Sequence, residues 1–475
     1  MNGASQTPED PIRLEGFGPQ DLYKSREKIF TRFVGGFYQR LRFFSGWPLL
    51  MGYFLLPWFN WNGRQAVLFD LPQRQFHIFE LTFLPQDFWL LGWLLIIAAF
   101  GLFTVTTVVG RLWCGYTCPQ TVWTAIFMWA EQLAEGPRHA RIRLEEAPWS
   151  IEKLRKRAFK HTMWLGWAGL TGLAFVGYFT PIRALTADLF TLEAGGWSVF
   201  WIAFFTAATY INAGWLREQV CIYMCPYARF QSAMLDQDTL IVSYDTARGE
   251  KRGPRKRSTG HAELDAGLGD CIDCHLCVQV CPTGIDIRDG LQYECIGCAQ
   301  CIDACNQVMS KMNYPKGLIR YTTERELASG TTHWLRARSV GYAAALTIMT
   351  LAFCIALFNR STFEVDVLRE RGELFRTSAK GMVSNAYSLR VVNKTQSPQN
   401  YSVVVESALP IELISADAVA AALASEPGEL VDAPMTLSAP AAAIQSPNTP
   451  VTITLCETSS GECVSEVSSF LGPTS

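Results

Sequence analysis

The chain has 475 residues, of which 49% are hydrophobic, and it carries 15 Trp and 29 Phe, many of them in long apolar runs. This composition excludes a water-soluble electron carrier, because such a protein could not leave runs of this length exposed to water. The net charge of −2 averages over segments of very different charge and by itself indicates no partner.

Five apolar segments are long enough to cross the ~30 Å hydrocarbon core of a bilayer, which takes about 20 helical residues. They lie near residues 43–61, 88–110, 162–180, 197–216 and 339–358. A sixth stretch, 112–133, is interrupted by Cys114, Cys118 and Pro119 and contains Glu131, which favours a half-helix or an interfacial helix. The sequence therefore predicts a polytopic α-helical membrane protein with about five transmembrane helices, four within residues 43–235 and the fifth within 336–360.

The distribution of Lys and Arg predicts the orientation of these spans. Residues 1–42 contain 7 of these cations, residues 136–160 contain 8, and residues 217–338 contain 15. The segments assigned to the other side are poorer, with 2 in 62–87, 1 in 181–196 and 6 in 361–475. Positive residues mark the cytoplasmic side, so we expect a cytoplasmic N-terminal segment (1–42), a cytoplasmic insert (236–335) and a periplasmic tail (361–475). The polar start of the chain predicts that the first span is an uncleaved targeting signal.

Two similar cysteine motifs follow the second and the fourth predicted spans. The first reads Cys114-Gly-Tyr-Thr-Cys118-Pro119, and the second reads Cys221-Ile-Tyr-Met-Cys225-Pro226, 107 residues further along. Cysteines at i and i+4 share one helix face, and two such pairs would give a four-sulfur set suited to Cu(I), Zn or an iron–sulfur cluster. The alternative is that these cysteines are buried apolar residues with a packing role. The agreement between two motifs with the same proline favours a redox or metal site.

Eight further cysteines form two tandem runs with the ligand spacing of bacterial two-cluster ferredoxins. The first run contains Cys271, Cys274, Cys277 and Cys281, and the second contains Cys295, Cys298, Cys301 and Cys305. The fourth cysteine of each run binds the other cluster in such proteins. The expected [4Fe–4S] ligand sets are therefore Cys271, Cys274, Cys277 and Cys305 on one cluster, and Cys295, Cys298, Cys301 and Cys281 on the other. Zinc sites and disulfides are the alternative roles for these eight cysteines. Zinc sites usually have four ligands, and disulfide scaffolds favour small secreted domains, so both alternatives are weaker than two clusters. Cys305 departs from the ferredoxin pattern, because Asn306 and not proline follows it.

Other features of the sequence indicate which partners the insert would contact. The basic run 248–257 lies beside a predicted membrane, where contact with anionic lipid or the general excess of positive charge on the cytoplasmic side explains it better than nucleic-acid binding. The sequence contains no phosphate-binding glycine loop after a strand, no nucleotide fingerprint and no hydrolase triad. Electrons for the clusters would therefore come from another protein on the cytoplasmic side or from a quinol.

The tail, residues 361–475, alternates polar and apolar residues in short segments such as 387–393, 401–406 and 451–456. Stretches rich in Ser, Pro and Asn separate these segments. Alternation with a period of two at this spacing predicts an immunoglobulin-like β-sandwich. Cys456 and Cys463 flank a predicted hairpin tip, where a disulfide is favoured over free thiols or a transient metal contact.

The order of these features resembles the CcoG/FixG/RdxA family, the accessory proteins of cbb3-type cytochrome c oxidase. The resemblance extends from about residue 30 to the end and is most specific at 113–123 (WCGYTCPQTVW) and 221–232 (CIYMCPYARFQS). It implies a membrane-bound cupric reductase that converts Cu(II) to Cu(I) for the oxidase, with two [4Fe–4S] clusters and copper near Cys114, Cys118, Cys221 and Cys225. Copper chaperones or oxidase assembly factors are the partners that it implies.

Two other functions fit the same motifs. A ferredoxin-type quinol dehydrogenase subunit shares the core motifs but is not expected to carry the C-terminal β domain. A non-enzymatic assembly scaffold would use that β domain to bind oxidase subunits. Reoxidation of reduced clusters by Cu(II) separates the cupric reductase from both alternatives.

Overall fold

The computed structural model describes residues 28–255, 267–370, 372–378 and 381–473. Residues 1–27 of the predicted cytoplasmic N-terminal segment lie outside these ranges, as do Lys256 and Arg257 of the basic run. The first helix, α1, covers Phe37–Leu55. Two small antiparallel sheets follow it, one made of β1 (Asn60–Trp61) and β2 (Arg64–Gln65), the other of β3 (Val67–Asp70), β4 (Gln75–Ile78) and β5 (Leu81–Phe83).

Helices form the next part of the chain. They are α2 (Phe88–Val109), α3 (Leu112–Tyr116), α4 (Pro119–Glu135), α5 (Arg138–Glu146), α6 (Ile151–Val176), α7 (Ile182–Thr191) and α8 (Gly196–Thr209). A π-helix, Tyr210–Leu216, continues α8, and a second one, Val220–Met224, precedes α9 (Pro226–Ser232). The insert contains β6 (Ile241–Tyr244), α10 (Thr246–Gly249), α11 (Leu276–Val280), α12 (Gln300–Met312), β7 (Ile319–Thr322) and α13 (Glu324–Ser329), and α14 (Ala337–Phe358) follows it.

Three helices of the described chain are long and apolar enough to cross a membrane: Pro85–Val109, Gly196–Leu216 and Ala337–Phe358. The other two predicted spans, 43–61 and 162–180, coincide with α1 and α6, which do not meet the same criterion. In α1 the apolar part starts after Arg42 and contains Pro48. In α6 the charged residues extend to Lys160, which leaves only 161–176 for the bilayer, less than the ~20 residues of a full crossing. The count of five spans stays a prediction.

The long helices pack in antiparallel pairs. α14 packs along α2, and α8 packs along α6. A glycine permits the second pairing, because a Cβ atom on Gly172 would lie 2.6 Å from the carbonyl oxygen of Ile202. Small residues that let two backbones approach closely are the usual basis of helix association within a bilayer.

Two arginines fix the two ends of α14. Before the helix, Arg336 pairs with the Asp236 carboxylate and donates to the carbonyl oxygen of Thr107 at 2.8 Å. After it, Arg360 donates to both carboxylate oxygens of Asp87, at 3.1 and 2.5 Å. The second pair is buried, and Lys394 also approaches Asp87 at 3.6 Å. These contacts set the register of α14 against α2 and place the insert and the tail at opposite ends of the helix pair.

The insert is closed by an antiparallel pairing of its first and last strands, β6 and β7. Between them lies a core of Val242, Ile302, Met309 and Leu318, among others. The insert docks on α1 through Asp303, whose carboxylate accepts from the backbone N–H groups of Tyr38 and Gln39 at 3.3 and 2.8 Å. A carboxylate at this position satisfies free N–H groups and the positive end of the helix dipole.

The tail forms two antiparallel sheets around one core. Its elements are β8 (Phe363–Arg369), β9 (Arg376–Thr377), β10 (Met382–Asn393), β11 (Tyr401–Ser407), β12 (Glu412–Ile414), α15 (Ala416–Ala422), β13 (Leu430–Pro440), β14 (Asn448–Glu457) and β15 (Cys463–Leu471). One sheet has the order β12-β13-β10-β8, with β9 also on β10, and the other has the order β11-β14-β15. Alternate residues of β10 are buried, as the period-two pattern predicts. The predicted disulfide between Cys456 and Cys463 is present.

Replacement of Arg360 by alanine should destabilise the protein strongly. The change leaves the buried Asp87 carboxylate without its main partner, and loss of one member of a buried pair typically costs about 3–5 kcal/mol. We expect a clearly lower melting temperature for the detergent-solubilised protein. Arg376→Ala is the matched control, because its partner Glu373 is exposed and such pairs contribute little. Equal melting temperatures for the two variants would contradict the assigned role of Arg360.

Candidate functional site

The structure brings together the first of the two predicted cysteine sets. Cys271, Cys274, Cys277 and Cys305 line one cavity, called cavity I here. Cys271 and Cys274 lie on the loop that leads into α11, Cys277 lies in the first turn of α11, and Cys305 lies on α12. Because α12 packs against α11, the fourth cysteine of the second run lines the cavity formed by the first run.

The second set lines a separate cavity, cavity II. Its lining includes Cys281, Cys295, Cys298 and Cys301, and Cys277 borders both cavities. The two cavities are therefore immediate neighbours. This is the arrangement that the tandem spacing predicts for two cubane clusters.

The two cysteine loops repeat the same backbone geometry. Asp273 and His275 have φ angles of 53° and 54°, and the equivalent residues Gly297 and Ala299 have φ angles of 65° and 59°. Non-glycine residues rarely adopt this left-handed conformation, and such residues cluster at sites where the surrounding structure enforces them. Both loops thus wrap around their cavities in the same way.

The chemistry of the cysteines fits a cluster better than a single ion. Burial raises the pKa of Cys277, Cys295 and Cys305 to about 12. Such thiols lose their protons when a cation coordinates them, because the metal supplies the missing positive charge. Within the described ranges no three Cys, His, Asp or Glu side chains converge closely enough to hold one ion. Two neighbouring cavities with four sulfurs each match the ligand sets of a two-cluster ferredoxin, whereas a zinc site usually has four ligands in all.

Arg288 supports the loop of cavity I, and sequence reasoning missed it. Its buried guanidinium donates to Asp286 at 2.8 Å, to Asp273, and to Nδ1 of His275 at 2.9 Å. The His275 side chain itself is largely exposed. The guanidinium is a fixed positive charge beside Cys277, so it stabilises negative charge on that thiol.

The paired Cys-x-x-x-Cys-Pro motifs have a different local structure from the expected one. Cys114 lies in α3, but that helix ends at Tyr116, and Cys118 is extended with ψ 128°. Cys225 is extended in the same way, with ψ 111°. The expectation that each pair shares one helix face is therefore wrong. A residue before proline disfavours the helical conformation, so each proline begins a new helix instead.

The four motif cysteines nevertheless lie in one group. Burial is the main cause that raises the pKa of Cys114 to about 12, and the thiols of Cys118, Cys221 and Cys225 contribute to this rise. Burial likewise raises the pKa of Cys221 to about 11, with contributions from Cys118 and Cys225. As their side chains stand, no three of these sulfurs converge on one point.

The first motif lies directly against cavity II. A Cβ atom on Gly115 would lie 2.8 Å from the carbonyl oxygen of Gly297 and 3.0 Å from Cα of Cys298. No side chain fits at this contact. The residue next to Cys114 therefore touches the backbone of a cavity II cysteine, which brings the two groups of sulfurs into neighbouring positions.

Two polar side chains hold this contact in place. Arg111 donates to the carbonyl oxygens of Cys295 at 3.2 Å, Ala228 at 3.1 Å and Tyr293. It thereby links the cavity II loop to α9, which follows the second motif. Gln231 is fully buried; its side chain accepts from Sγ of Cys114 at 3.6 Å and donates to the carbonyl oxygen of Gly110 at 3.2 Å.

A buried charge cluster holds the segment before the second motif. The Glu131 carboxylate pairs with Arg141 at 3.1 Å, Arg217 at 3.0 Å and Lys160 at 3.9 Å. Arg217 ends the π-helix four residues before Cys221 and also donates to the carbonyl oxygen of Gly214 at 2.9 Å. Glu131, noted in the sequence as a charge within an apolar stretch, thus anchors the chain that carries the second motif.

Comparison with known families agrees with the cysteine geometry. Residues 216–324 match the family described as a 4Fe-4S dicluster domain, and residues 91–134 match a 4Fe-4S binding domain. Residues 353–473 match the family described as an IG-like fold at the C-terminal of FixG. The chain is therefore a 4Fe–4S iron–sulfur protein with membrane-spanning helices, and its β-sandwich is immunoglobulin-like, as the sequence predicted.

Three relatives are similar over most of their length. Nitrogen fixation protein FixG of Rhizobium meliloti (strain 1021) is 39% identical over 423 residues, which cover 81% of this chain and 80% of that protein. Proteins RdxB and RdxA of Cereibacter sphaeroides are 40% and 39% identical over 406 and 403 residues, and each match covers 82% of this chain and 84% of the relative. A crystal structure of a FixG-related protein from Vibrio parahaemolyticus is 29% identical and covers 24% of this chain and 97% of that chain, with a TM-score of 0.20. The three relatives, at 39–40% identity over 80–84% of their own length, show that the chain belongs to the family of FixG, RdxA and RdxB.

Proposed function

We propose that the protein is a membrane-bound reductase that passes single electrons to Cu(II) and releases Cu(I) for assembly of a cbb3-type oxidase. Cys271, Cys274, Cys277 and Cys305 would hold one [4Fe–4S] cluster, and Cys281, Cys295, Cys298 and Cys301 the other. When bound, these clusters supply one-electron storage. The observation that carries the proposal is the backbone contact between Gly115 and Cys298, which puts a second group of cysteines beside cavity II.

The motif cysteines supply the copper chemistry in this proposal. Cys114, Cys118, Cys221 and Cys225 are soft ligands, and soft ligands favour Cu(I) over Cu(II). Their burial disfavours the free thiolate, so binding of a copper ion releases protons and is coupled to pH. Each turnover adds one electron to one Cu(II) ion, and no proton-transfer base is required.

We further propose that the clusters face the cytoplasm of a bacterial inner membrane and that the β-sandwich faces the periplasm. The positive charge of the loops around the insert supports this orientation. The disulfide in the tail fits an oxidising compartment. Copper chaperones or assembly factors of the oxidase would then accept the Cu(I), and an electron donor would act on the side of the insert.

Iron content tests the cluster assignment. Anaerobically purified protein should contain about eight irons per chain, and Cys274→Ser or Cys298→Ser should each reduce this to about four. Cys354→Ser, in α14 and away from both cavities, is the control and should keep all iron. Four irons or fewer in the unaltered protein would contradict the two-cluster assignment. About twelve irons per chain would favour a third cluster at the paired motifs. The match of residues 91–134 to a 4Fe-4S binding domain makes such a cluster the second candidate for the role of these motifs.

Copper reduction tests the role of the paired motifs. Cys114→Ser and Cys221→Ser should keep both clusters but slow reduction of Cu(II) by dithionite-reduced protein by about tenfold or more, because the soft ligand set is broken. The thiol-to-hydroxyl change is nearly isosteric, and Cys354→Ser again serves as the control. Iron content, cluster spectrum and Cu(I) formation should be measured on the same preparations. Unchanged copper reduction in both variants would leave these cysteines with a packing role and the insert as the only redox element. No copper reduction by the unaltered protein would favour the quinol dehydrogenase or scaffold function.

A further inference from the structure

A third cavity, cavity III, lies beside cavity II and contains no cysteine set of its own. Its volume is about 410 Å³, within the ~300–1,000 Å³ typical of small-molecule sites. Cys295 borders both cavity II and cavity III, and Gly297 of the same loop also lines cavity III. A ligand here would therefore contact the loop that holds the cavity II cysteines.

Cavity III is attached to the end of a membrane-capable helix. Arg111, in its wall, follows two residues after the end of α2. A second lining segment, which includes Leu235 and Leu240, is tied to the same helix, since the Leu240 N–H donates to the carbonyl oxygen of Val108 at 3.1 Å. The cavity thus lies where α2 leaves the hydrocarbon region, a position that a membrane-soluble ligand can reach.

The lining combines apolar and hydrogen-bonding groups. Leu235, Leu240 and Leu291 present apolar surface to a flat ring, and Tyr293 and Tyr321 add aromatic surface. Polar groups in the same wall include Gln237, Gln292 and Glu324, of which Gln237 and Glu324 are exposed. An apolar cavity with a few polar groups suits an amphipathic ring that carries hydroxyl groups. A nucleotide is a poorer fit, because the chain has no phosphate-binding glycine loop.

We propose that cavity III binds a membrane quinol and is the entry point for electrons. This proposal rests on the two clusters of the proposed function and identifies the class of their donor. One quinol loses two electrons and two protons and leaves as the quinone. The electrons reduce the two clusters by one each, entering through the Cys295 loop, and the protons pass to water beside the exposed Glu324. Two electrons per quinol match two one-electron acceptors.

The test uses the full-length protein in lipid nanodiscs under anaerobic conditions, with duroquinol as the probe. Duroquinol should reduce the clusters, and this reduction is measured from their visible and electron paramagnetic resonance spectra. Leu291→Trp should slow this reduction at least tenfold, because the larger ring occupies cavity III; Leu291 is exposed, so the fold tolerates the change. Leu430→Trp, at an exposed leucine of β13, is the matched control and should behave as the unaltered protein. A photoreactive azidoquinone should label peptides containing residues 235–242 or 291–293, and less so in Leu291→Trp.

Reduction by dithionite, which bypasses the quinol, distinguishes failure of the quinol site from failure of the proposed copper reduction. Dithionite should reduce the clusters of every variant equally, and Cu(II) should then reoxidise them equally. Failure of duroquinol to reduce the unaltered protein, while dithionite succeeds, would overturn the quinol site but leave copper reduction intact. Equal duroquinol rates in Leu291→Trp and the unaltered protein would also overturn it. Reduction by a small soluble redox protein alone would assign the donor to that class of partner.

Discussion

Gly115 lies against the carbonyl oxygen of Gly297 and the backbone of Cys298, with no space for a side chain between them. This contact joins a helix end in the membrane part to the second cysteine loop of the insert. Electron transfer needs redox groups held at short and constant distance, and packed backbones hold such a distance better than mobile side chains do. The proposed path from cavity II to the motif cysteines therefore depends on this one contact.

The rest of the structure holds the contact from several sides. Arg111 binds carbonyl oxygens of both the insert and α9, and Asp303 joins the insert to α1. Arg336 fixes the chain where it re-enters the helical region. The buried Glu131 carboxylate pairs with three cations, and one of them, Arg217, lies in the segment before Cys221. These polar contacts thus help to position the insert on the membrane part.

The sequence alone predicted those features that depend on the local spacing of residues. The ferredoxin runs fix which cysteines can share a cavity, and alternation along β10 fixes which residues face the sandwich core. It failed where proline overrides helical periodicity, so that Cys114 and Cys118 lie on separate helices. Gly115 and Arg111 were missed because their partners lie about 180 residues away, and no local pattern reports on docking between segments so far apart. The short apolar parts of α1 and α6 likewise leave the number of spans undecided by hydropathy.

Gly115→Ala tests the central claim most directly, because it separates the two groups of cysteines without removing a sulfur. Its added Cβ would lie 2.8 Å from the Gly297 oxygen, so the backbones must move apart. Gly92→Ala in α2 is the control, since its Cβ would meet nothing within 4 Å. The measurement is the rate at which Cu(II) reoxidises the dithionite-reduced clusters in stopped flow, with iron content as a check. We expect full iron in both variants and slower reoxidation only in Gly115→Ala. Full iron with an unchanged rate in Gly115→Ala would contradict the central claim.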